Sequence, residues 1–374
     1  MSKINRHQQV FIGESAVENF IVRMQEMKNK TIFLVRGKAS YDISGAKNII
    51  DDLVRSLNIR LIEFFDFSQN PKEEDMRKGL SLLSAGNADM IAGIGGGSVI
   101  DMAKLLRFFH SYDGDIAGTV FEKKKDLLPL YVLPTTAGTG SEVTHFAVLY
   151  KEKVKYSVAH EVILPDMAFI YPPFTYDTSE YLTASAGFDA LAQAIEAYWS
   201  INATEESDKY AIKAIELLWE NLPLAVNTRD ENPKNRMSEG AYYAGKAINI
   251  TKTTAPHAMS YTFTAHYGIP HGHAVALTFP FFMEYNTRMP EAEYNGKIPF
   301  SDFNKKMDFL FHLVKIDENQ SIRQQMKSYI TALGLNVNLP NLFDMNLILN
   351  NINSQRAKNN PRLLIAENIA PAVG

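Results

Sequence analysis

Met90-Ile91-Ala92-Gly93-Ile94-Gly95-Gly96-Gly97-Ser98-Val99-Ile100-Asp101 passes from an apolar β pattern, through a glycine cluster, into a helical pattern. The run Met90 to Ile94 reads as a buried strand, and the residues after Ser98 read as the opening of a helix. Glycines at such a junction let the backbone approach a pyrophosphate closely. The helix N-terminus then offers N–H groups and a positive dipole. Ordinary tight turns also use glycine, and this run departs from the usual dinucleotide fingerprint. Its place between a strand and a helix favours the phosphate reading. It follows what reads as the third strand of the chain.

Outward from this stretch, short apolar runs alternate with helical ones. Thr31 to Val35, Leu61 to Phe65, Leu130 to Leu133, Phe146 to Tyr150 and Met167 to Tyr171 read as further strands. Ala46 to Leu57 and Glu73 to Ser84 read as helices, and Ser15-Ala16-Val17-Glu18 has capping-box spacing at the start of an earlier one. Alternation of this kind, with continuous apolar strands, implies a mostly parallel sheet covered on both faces. Past Tyr171-Pro172-Pro173 the pattern turns helical: Asp189 to Ser200, Glu206 to Asn221, Arg236 to Asn249, Asp302 to Lys315 and Ser321 to Leu333. An α/β domain over residues 1–175 and an all-α domain over 176–374 are therefore expected, with the prolines at the boundary.

At 374 residues and 46% hydrophobic, the chain is long enough for two cores. A net charge of −4 argues against a nucleic-acid or anionic-membrane partner. With no cysteine, disulfide and thiolate chemistry are excluded. Met1 to Gln9 has no apolar run, so no secretory signal is expected, and no stretch approaches a membrane span. A cytoplasmic protein is the expectation.

Pro134-Thr135-Thr136-Ala137-Gly138-Thr139-Gly140-Ser141-Glu142 is a second loop after a strand, rich in hydroxyls that suit a cofactor's ribose or phosphates. Alone it reads as a polar turn; two such loops at adjacent strand ends point to a ligand, because open α/β sheets bind there. Farther on, Asp189 and Gln193 are spaced i, i+4, which on a helix puts both on one face, about 6 Å apart at Cβ. His257 and His271 would lie about 21 Å apart on one straight helix. Gly268-Ile269-Pro270 would break that helix and let the chain double back. Two imidazoles and a carboxylate suit Fe²⁺ or Zn²⁺, while Gln193 brings only a neutral amide oxygen to the fourth place.

The two loops, Gly187-Phe188-Asp189-Ala190-Leu191, Pro256-His257 and Pro270-His271-Gly272-His273-Ala274 resemble the iron-containing (group III) alcohol dehydrogenases, in order, down to Asn359-Asn360-Pro361-Arg362. The resemblance implies a Rossmann-like dinucleotide-binding domain and an all-helical domain, in a dehydroquinate-synthase-like architecture, with NAD(P) and a metal in the cleft between. By position it implies Asp189, His257 and His271 as metal ligands, with Gln193 where the family has histidine. It implies Gly95, Gly96, Gly97 and Ser98, with Asp101 in the same motif, for the pyrophosphate. Thr135, Thr136 and Thr139 would serve the second loop, and Lys155 would reach the cofactor ribose. NAD-preferring members carry aspartate at the position of Gly37; its absence, with Arg36, Lys38 and Ser40 nearby, leans the choice toward NADPH over NADH.

Within the family the wording is most similar to the phosphonoacetaldehyde reductases (hydroxyethylphosphonate dehydrogenases), in Tyr156 to His160, Glu196 to Ser200, Thr253 to Tyr261 and Tyr267 to Leu277. Tyr261 stands where many members have a histidine near the substrate, which leaves His266 and His273 as candidates to move a proton beside His271. The expectation is a metal-dependent reductase of a small aldehyde, phosphonoacetaldehyde first, acting as a homodimer with a weakly held metal. Lys252, His266 and His273 are candidate partners for the phosphonate. The rivals are a reductase of an uncharged aldehyde such as lactaldehyde or 3-hydroxypropanal, a dehydroquinate-synthase-like lyase, and a cofactor-binding protein without catalysis.

Overall fold

The computed structural model describes residues 7–116, 120–152, 154–338 and 343–369. Its strands are β1 (Gln9–Ile12), β2 (Thr31–Arg36), β3 (Arg60–Phe64), β4 (Met90–Gly95), β5 (Tyr112–Asp113), β6 (Glu122–Lys123), β7 (Leu130–Pro134), β8 (Phe146–Lys151), β9 (Val154–Ala159) and β10 (Met167–Ile170). Six of them form one sheet in the order β1-β10-β7-β4-β2-β3, parallel throughout. β5 with β6, and β8 with β9, pair antiparallel outside it. The glycine-rich stretch thus follows the fourth strand, because β1 precedes those read from the sequence. Phe146 to Tyr150 lies in a separate hairpin rather than in the parallel sheet.

The helices of this half are α1 (Ser15–Met24), α2 (Ser40–Ile43), α3 (Ala46–Leu57), α4 (Glu73–Gly86) and α5 (Gly97–Ser111). The side-chain alternation of the strands divides the core in two. Phe33, Val35, Ile91, Val132 and Ala168 point into one cluster with Met76, Leu83 and the inner face of α5. Ile32, Leu34, Met90, Ala92, Ile94, Leu133 and Phe169 point into the other, with Phe20, Ile50 and Leu53 of α1 and α3. Burial on both faces is why these strands are continuously apolar; each fully buried side chain of this kind contributes about 1.5–3 kcal/mol. α1 begins at Ser15, but its cap residue is Glu14 with no side-chain cap bond, so the expected capping box is not formed. The positive φ of Gly13 and the bond from Ala16 N to Gly13 O turn the chain into the helix instead.

The chain divides into two compact units, Met1–Thr178 and Ser179–Gly374, so the division falls after Thr178 rather than after residue 175. Pro172 and Pro173 lie in a 3₁₀ turn just before it. The second unit contains α6 (Glu180–Trp199), α7 (Glu205–Asn227), α8 (Glu231–Thr251), α9 (Ala255–Tyr267), α10 (His271–Thr287), α11 (Phe300–Leu313) and α12 (Ile322–Ala332). The short helices α13 (Met345–Asn350), α14 (Ser354–Ala357) and α15 (Ala366–Ile369) follow. None of its described residues belongs to a strand.

α9 and α10 escape a periodicity reading because they are buried on nearly every side. α7 runs through Pro223, where a break would be expected. Proline cannot donate to the carbonyl of Trp219 four residues back, and the Tyr329 hydroxyl donates to that oxygen instead, at 3.0 Å. Late in the chain, the side-chain amides of Asn286 and Asn360 bond each other reciprocally at 3.0 and 2.7 Å. Asn359 Nδ2 donates to Thr253 O, so the asparagine-rich tail pins the segment that leads into α9.

Candidate active site

In the first unit, register brings the two loops together. Gly95 pairs with Pro134 across β4 and β7, and Thr135 N donates to Gly95 O at 3.0 Å, so both loops leave the same sheet edge side by side. A Cβ on Gly97 would lie 2.6 Å from the Thr139 side chain, so glycine is what lets the loops touch. Thr135 Oγ1 is buried and meets no protein partner. An orphaned hydroxyl, two glycine-lined loops and the N-terminus of a fifteen-residue helix fit a dinucleotide's phosphates and ribose.

Asp101, read as a cofactor residue, has its oxygens taken by the protein: Ser141 Oγ donates to Oδ1 and Val148 N to Oδ2. It therefore positions the second loop rather than facing a ligand. Lys104, which sequence reasoning missed, completes this tie. Fully buried, it donates from Nζ to Ser141 O at 2.8 Å and Phe146 O at 2.5 Å, with the Ser141 and Thr144 hydroxyls at 3.1 Å. Burial pulls its amine down to about 8, against the opposing effect of Asp101 and Glu142. Burial likewise pushes the Glu142 carboxyl up to about 7. A lysine three residues after Asp101 on an apolar helix was the available signal.

Ser98 Oγ accepts from Asn70 N at 3.1 Å, and Thr139 Oγ1 from Ser141 N at 3.3 Å. Lys155 is half-buried on β9, opposite Tyr150 in the hairpin. Gly37 N donates to Ile94 O at 3.1 Å, which sets the end of β2 beside the glycine-rich loop. The cations expected to be available there are engaged. Arg36 Nε lies 2.5 Å from Glu63 Oε1, and Lys38 Nζ lies 2.9 Å from Asp66 Oδ1. Ser40 starts α2, with its Oγ packed close over Gly37.

In the second unit, α6 supplies Asp189 and Gln193 from a stretch buried continuously from Gly187 to Trp199. Gly268, left-handed at φ 70°, ends α9 and reverses the chain into α10. His257 near the start of α9 and His271 at the start of α10 thereby converge, their ring centroids 5.3 Å apart. The ligand atoms of Asp189, His257 and His271 lie within 4.8 Å of one another. Gly272 permits this approach, since a Cβ there would fall 1.9 Å from the backbone oxygen of Ser185 on α6. His271 keeps 27% of its side chain exposed, while Asp189 and His257 are buried.

Glu196, one further turn along α6, was quoted in the sequence but given no role there. Its Oε1 lies 2.7 Å from His257 Nδ1, and its Oε2 accepts from Thr254 N and Oγ1. Trp199 Nε1 braces the same threonine at 2.9 Å. His257 Nε2 lies 3.1 Å from Asp189 Oδ1. Burial lowers the imidazole's pKa, but the Glu196 and Asp189 carboxylates outweigh it and raise it to about 9. A cation is what this geometry prefers at Nε2, and a proton satisfies it there. Asp189, Gln193 and Glu196 at i, i+4 and i+7 on an otherwise apolar helix were the signal for the fuller set.

Gln193 Nε2 donates to Asp189 Oδ2 at 3.0 Å, and its Oε1 is buried without a protein partner. Two imidazole nitrogens, a carboxylate and an orphaned amide oxygen fit a divalent ion such as Fe²⁺ or Zn²⁺. Tyr261 is buried with its ring 5.9 Å from that of His271 and 27° from parallel.

The other two histidines do not join the cluster. His266 is exposed and lies about two and a half turns past His257, on the opposite side of α9. His273 lies about 200° around α10 from His271. Its Nε2 donates to Asn336 O at 2.8 Å, and its Nδ1 meets the Tyr181 hydroxyl at 2.9 Å. Lys252 caps the C-terminus of α8 with φ 63°, and α9 begins only at Ala255, so no continuous helix carries it to His257.

A dinucleotide-type sheet edge in one unit and a two-histidine, one-carboxylate centre in the other define a metal-dependent, nicotinamide-linked oxidoreductase acting on CH–OH groups. Residues 7–172 match the family described as iron-containing alcohol dehydrogenase, and residues 183–357 match its C-terminal domain. The chain belongs to the iron-containing alcohol dehydrogenase family. It is 33% identical over 281 residues to long-chain-alcohol dehydrogenase 1 of Geobacillus thermodenitrificans, covering 73% of this chain and 71% of that one. It is 32% identical to the 1,3-propanediol dehydrogenase of Citrobacter freundii, over 74% and 73% of the two chains. Among solved structures, the sulfoacetaldehyde reductase of Bifidobacterium kashiwanohense in complex with NAD⁺ superposes with a TM-score of 0.83 at 26% identity, over 98% and 96% of the chains. No described helix is long and apolar enough to cross a membrane.

Proposed function

We propose that this enzyme reduces phosphonoacetaldehyde to 2-hydroxyethylphosphonate, with NADPH accepted at least as well as NADH. The observation that carries the chemistry is the convergence of Asp189, His257 and a part-exposed His271, with the orphaned Gln193 oxygen beside them. A divalent ion bound there supplies Lewis-acid polarisation of a carbonyl, and a nicotinamide supplies the hydride. The chain's own residues prepare that step. Glu196 orients His257 by taking the hydrogen on Nδ1, which directs Nε2 toward Asp189. The glycine and threonine loops bind phosphates and ribose at one sheet edge. With His266 on the far side of α9 and His273 held by Tyr181 and Asn336, the product's proton comes from solvent.

The substrate assignment draws on the wording of residues 156–160, 196–200, 253–261 and 267–277. It draws also on likeness to a sulfoacetaldehyde reductase, whose named substrate is a two-carbon aldehyde carrying an anionic group. The cofactor reading draws on Gly37, which carries no side-chain carboxylate at the position where NAD-preferring members have aspartate. The test is a panel of phosphonoacetaldehyde, lactaldehyde and 3-hydroxypropanal with each cofactor. Equal kcat/KM for the anionic and uncharged aldehydes would sink the phosphonate assignment. A hundredfold preference for NADH would sink the cofactor reading.

A further inference from the structure

At the carboxyl end of β2, Arg36 is held from two sides. Its Nε donates to Glu63 Oε1 at 2.5 Å, and its guanidinium carbon lies 3.8 Å from the Phe65 ring centroid and 5.0 Å from that of Tyr41. Its side chain is only 14% exposed, against 60% for Lys38 in the neighbouring Lys38–Asp66 pair. Leu34 and Glu63 are register partners across β2 and β3, so this carboxylate rises from the strand next to Arg36. The bond from Gly37 N to Ile94 O places the whole group beside the strand that carries the glycine-rich loop. In a doubly wound sheet the adenosine ribose rests over that neighbouring strand end, where an acid takes a 2′-hydroxyl and an arginine a 2′-phosphate.

We propose that Glu63 is a specificity-determining residue for the cofactor. Its carboxylate cancels the charge of Arg36 and holds the guanidinium against Phe65, so Arg36 is not offered in full to a 2′-phosphate. The same carboxylate can accept from a ribose hydroxyl, so it keeps NADH usable and holds the preference for NADPH below what Gly37 and an unpaired Arg36 would give. Nη1 of Arg36 donates to Gly37 O at 3.3 Å, so neutralising Glu63 leaves Nε and Nη2 as the edge open to a bidentate phosphate contact, and removes the anion that would repel that phosphate. This inference rests on the cofactor placement given under the proposed function.

The test is direct binding: fluorescence titration of the purified enzyme with NADPH and with NADH, without aldehyde. Glu63→Gln is expected to raise the NADPH-to-NADH affinity ratio by about tenfold or more. Arg36→Gln added to Glu63→Gln should return the ratio to near its starting value. A smaller shift, or a gain that survives the loss of Arg36, overturns the proposal. The placement itself is read separately with Gly37→Asp. That variant is made together with Ser40→Ala, because a Cβ at Gly37 would meet Ser40 Oγ at 2.0 Å but Ser40 Cβ only at 3.4 Å. If the Gly37 variant penalises NADPH while Glu63→Gln changes nothing, Glu63 alone is wrong. If neither change moves either affinity, the ribose does not bind here and both readings fall.

Discussion

The side-chain amide of Gln193 donates to Asp189 Oδ2 at 3.0 Å, and the oxygen of the same amide is buried with no partner in the protein. The carboxylate dictates this orientation, because turning the amide over would set two oxygens against each other. The oxygen is therefore the atom left for a cation, and a neutral amide oxygen is a weaker donor to Fe²⁺ or Zn²⁺ than imidazole.

Dialysis against a chelator is accordingly expected to remove both metal and activity, and added Fe²⁺ or Zn²⁺ to restore them. Gln193→His should hold its metal through the same dialysis, by elemental analysis, since Asp189 already stands one turn away. Full turnover in a metal-free sample would refute this mechanism.

Removing the brace behind His257 should act on the metal more than on the fold's shape. For Glu196→Gln, metal affinity is expected to fall about 10–100-fold, with helix content by circular dichroism retained. Isothermal titration of the chelated enzyme with Zn²⁺ measures it, and an unchanged affinity would rule out the bracing role.

Gly272→Ala tests whether helix approach builds the centre. The new methyl would collide with the Ser185 backbone oxygen, which cannot rotate away. α10 must shift, at a cost of about 1–3 kcal/mol, and take His271 with it. A lowered Tm together with loss of bound metal is the expected result; a variant that keeps wild-type metal content would show the contact is not needed.

Lys104→Met removes the buried amine that ties α5 to the second loop, leaving Asp101 without its cation and several buried acceptors unmet. Breaking such a pair costs about 3–5 kcal/mol. The expectation is a marked fall in Tm and a raised KM for the cofactor, with bound metal unchanged because the ligands lie in the other unit.

Glu142 sets a pH dependence whose sign is fixed. Its folded pKa, about 7, lies above the ordinary 4.5, so the folded state holds the proton more tightly. The resulting stability is fully present below about pH 4.5 and is lost as pH rises through 7. Glu142→Gln should flatten Tm between pH 5 and 7.5 relative to wild type, and an unaltered slope would exclude this carboxyl as the cause.

Much of the fold was legible because local chemistry and burial agree. Four of the six long-sheet strands appear as apolar runs buried on both faces and β3 as a part-buried run at the sheet edge, and the loops at Gly95 and Pro134 announce themselves by glycines and hydroxyls. β1 was not, being a four-residue edge strand with no buried residue. Nor were α9 and α10, whose all-round burial erases the period that marks an amphipathic helix.

At the site, the chain by itself determined the ligand types and the reversal between them: Asp189 and Gln193 one turn apart, and Gly268-Ile269-Pro270 ending the helix that bears His257. Only the tertiary structure decided which polar groups are consumed by the protein. Asp101 is taken by Ser141 and Val148, Arg36 by Glu63, and His273 by Tyr181 and Asn336, while Glu196 and Lys104 emerge as braces. Spacing along a helix or strand tells which side chains share a face. Whether a charge is paired depends on residues tens of positions away, and that is settled only when the elements pack.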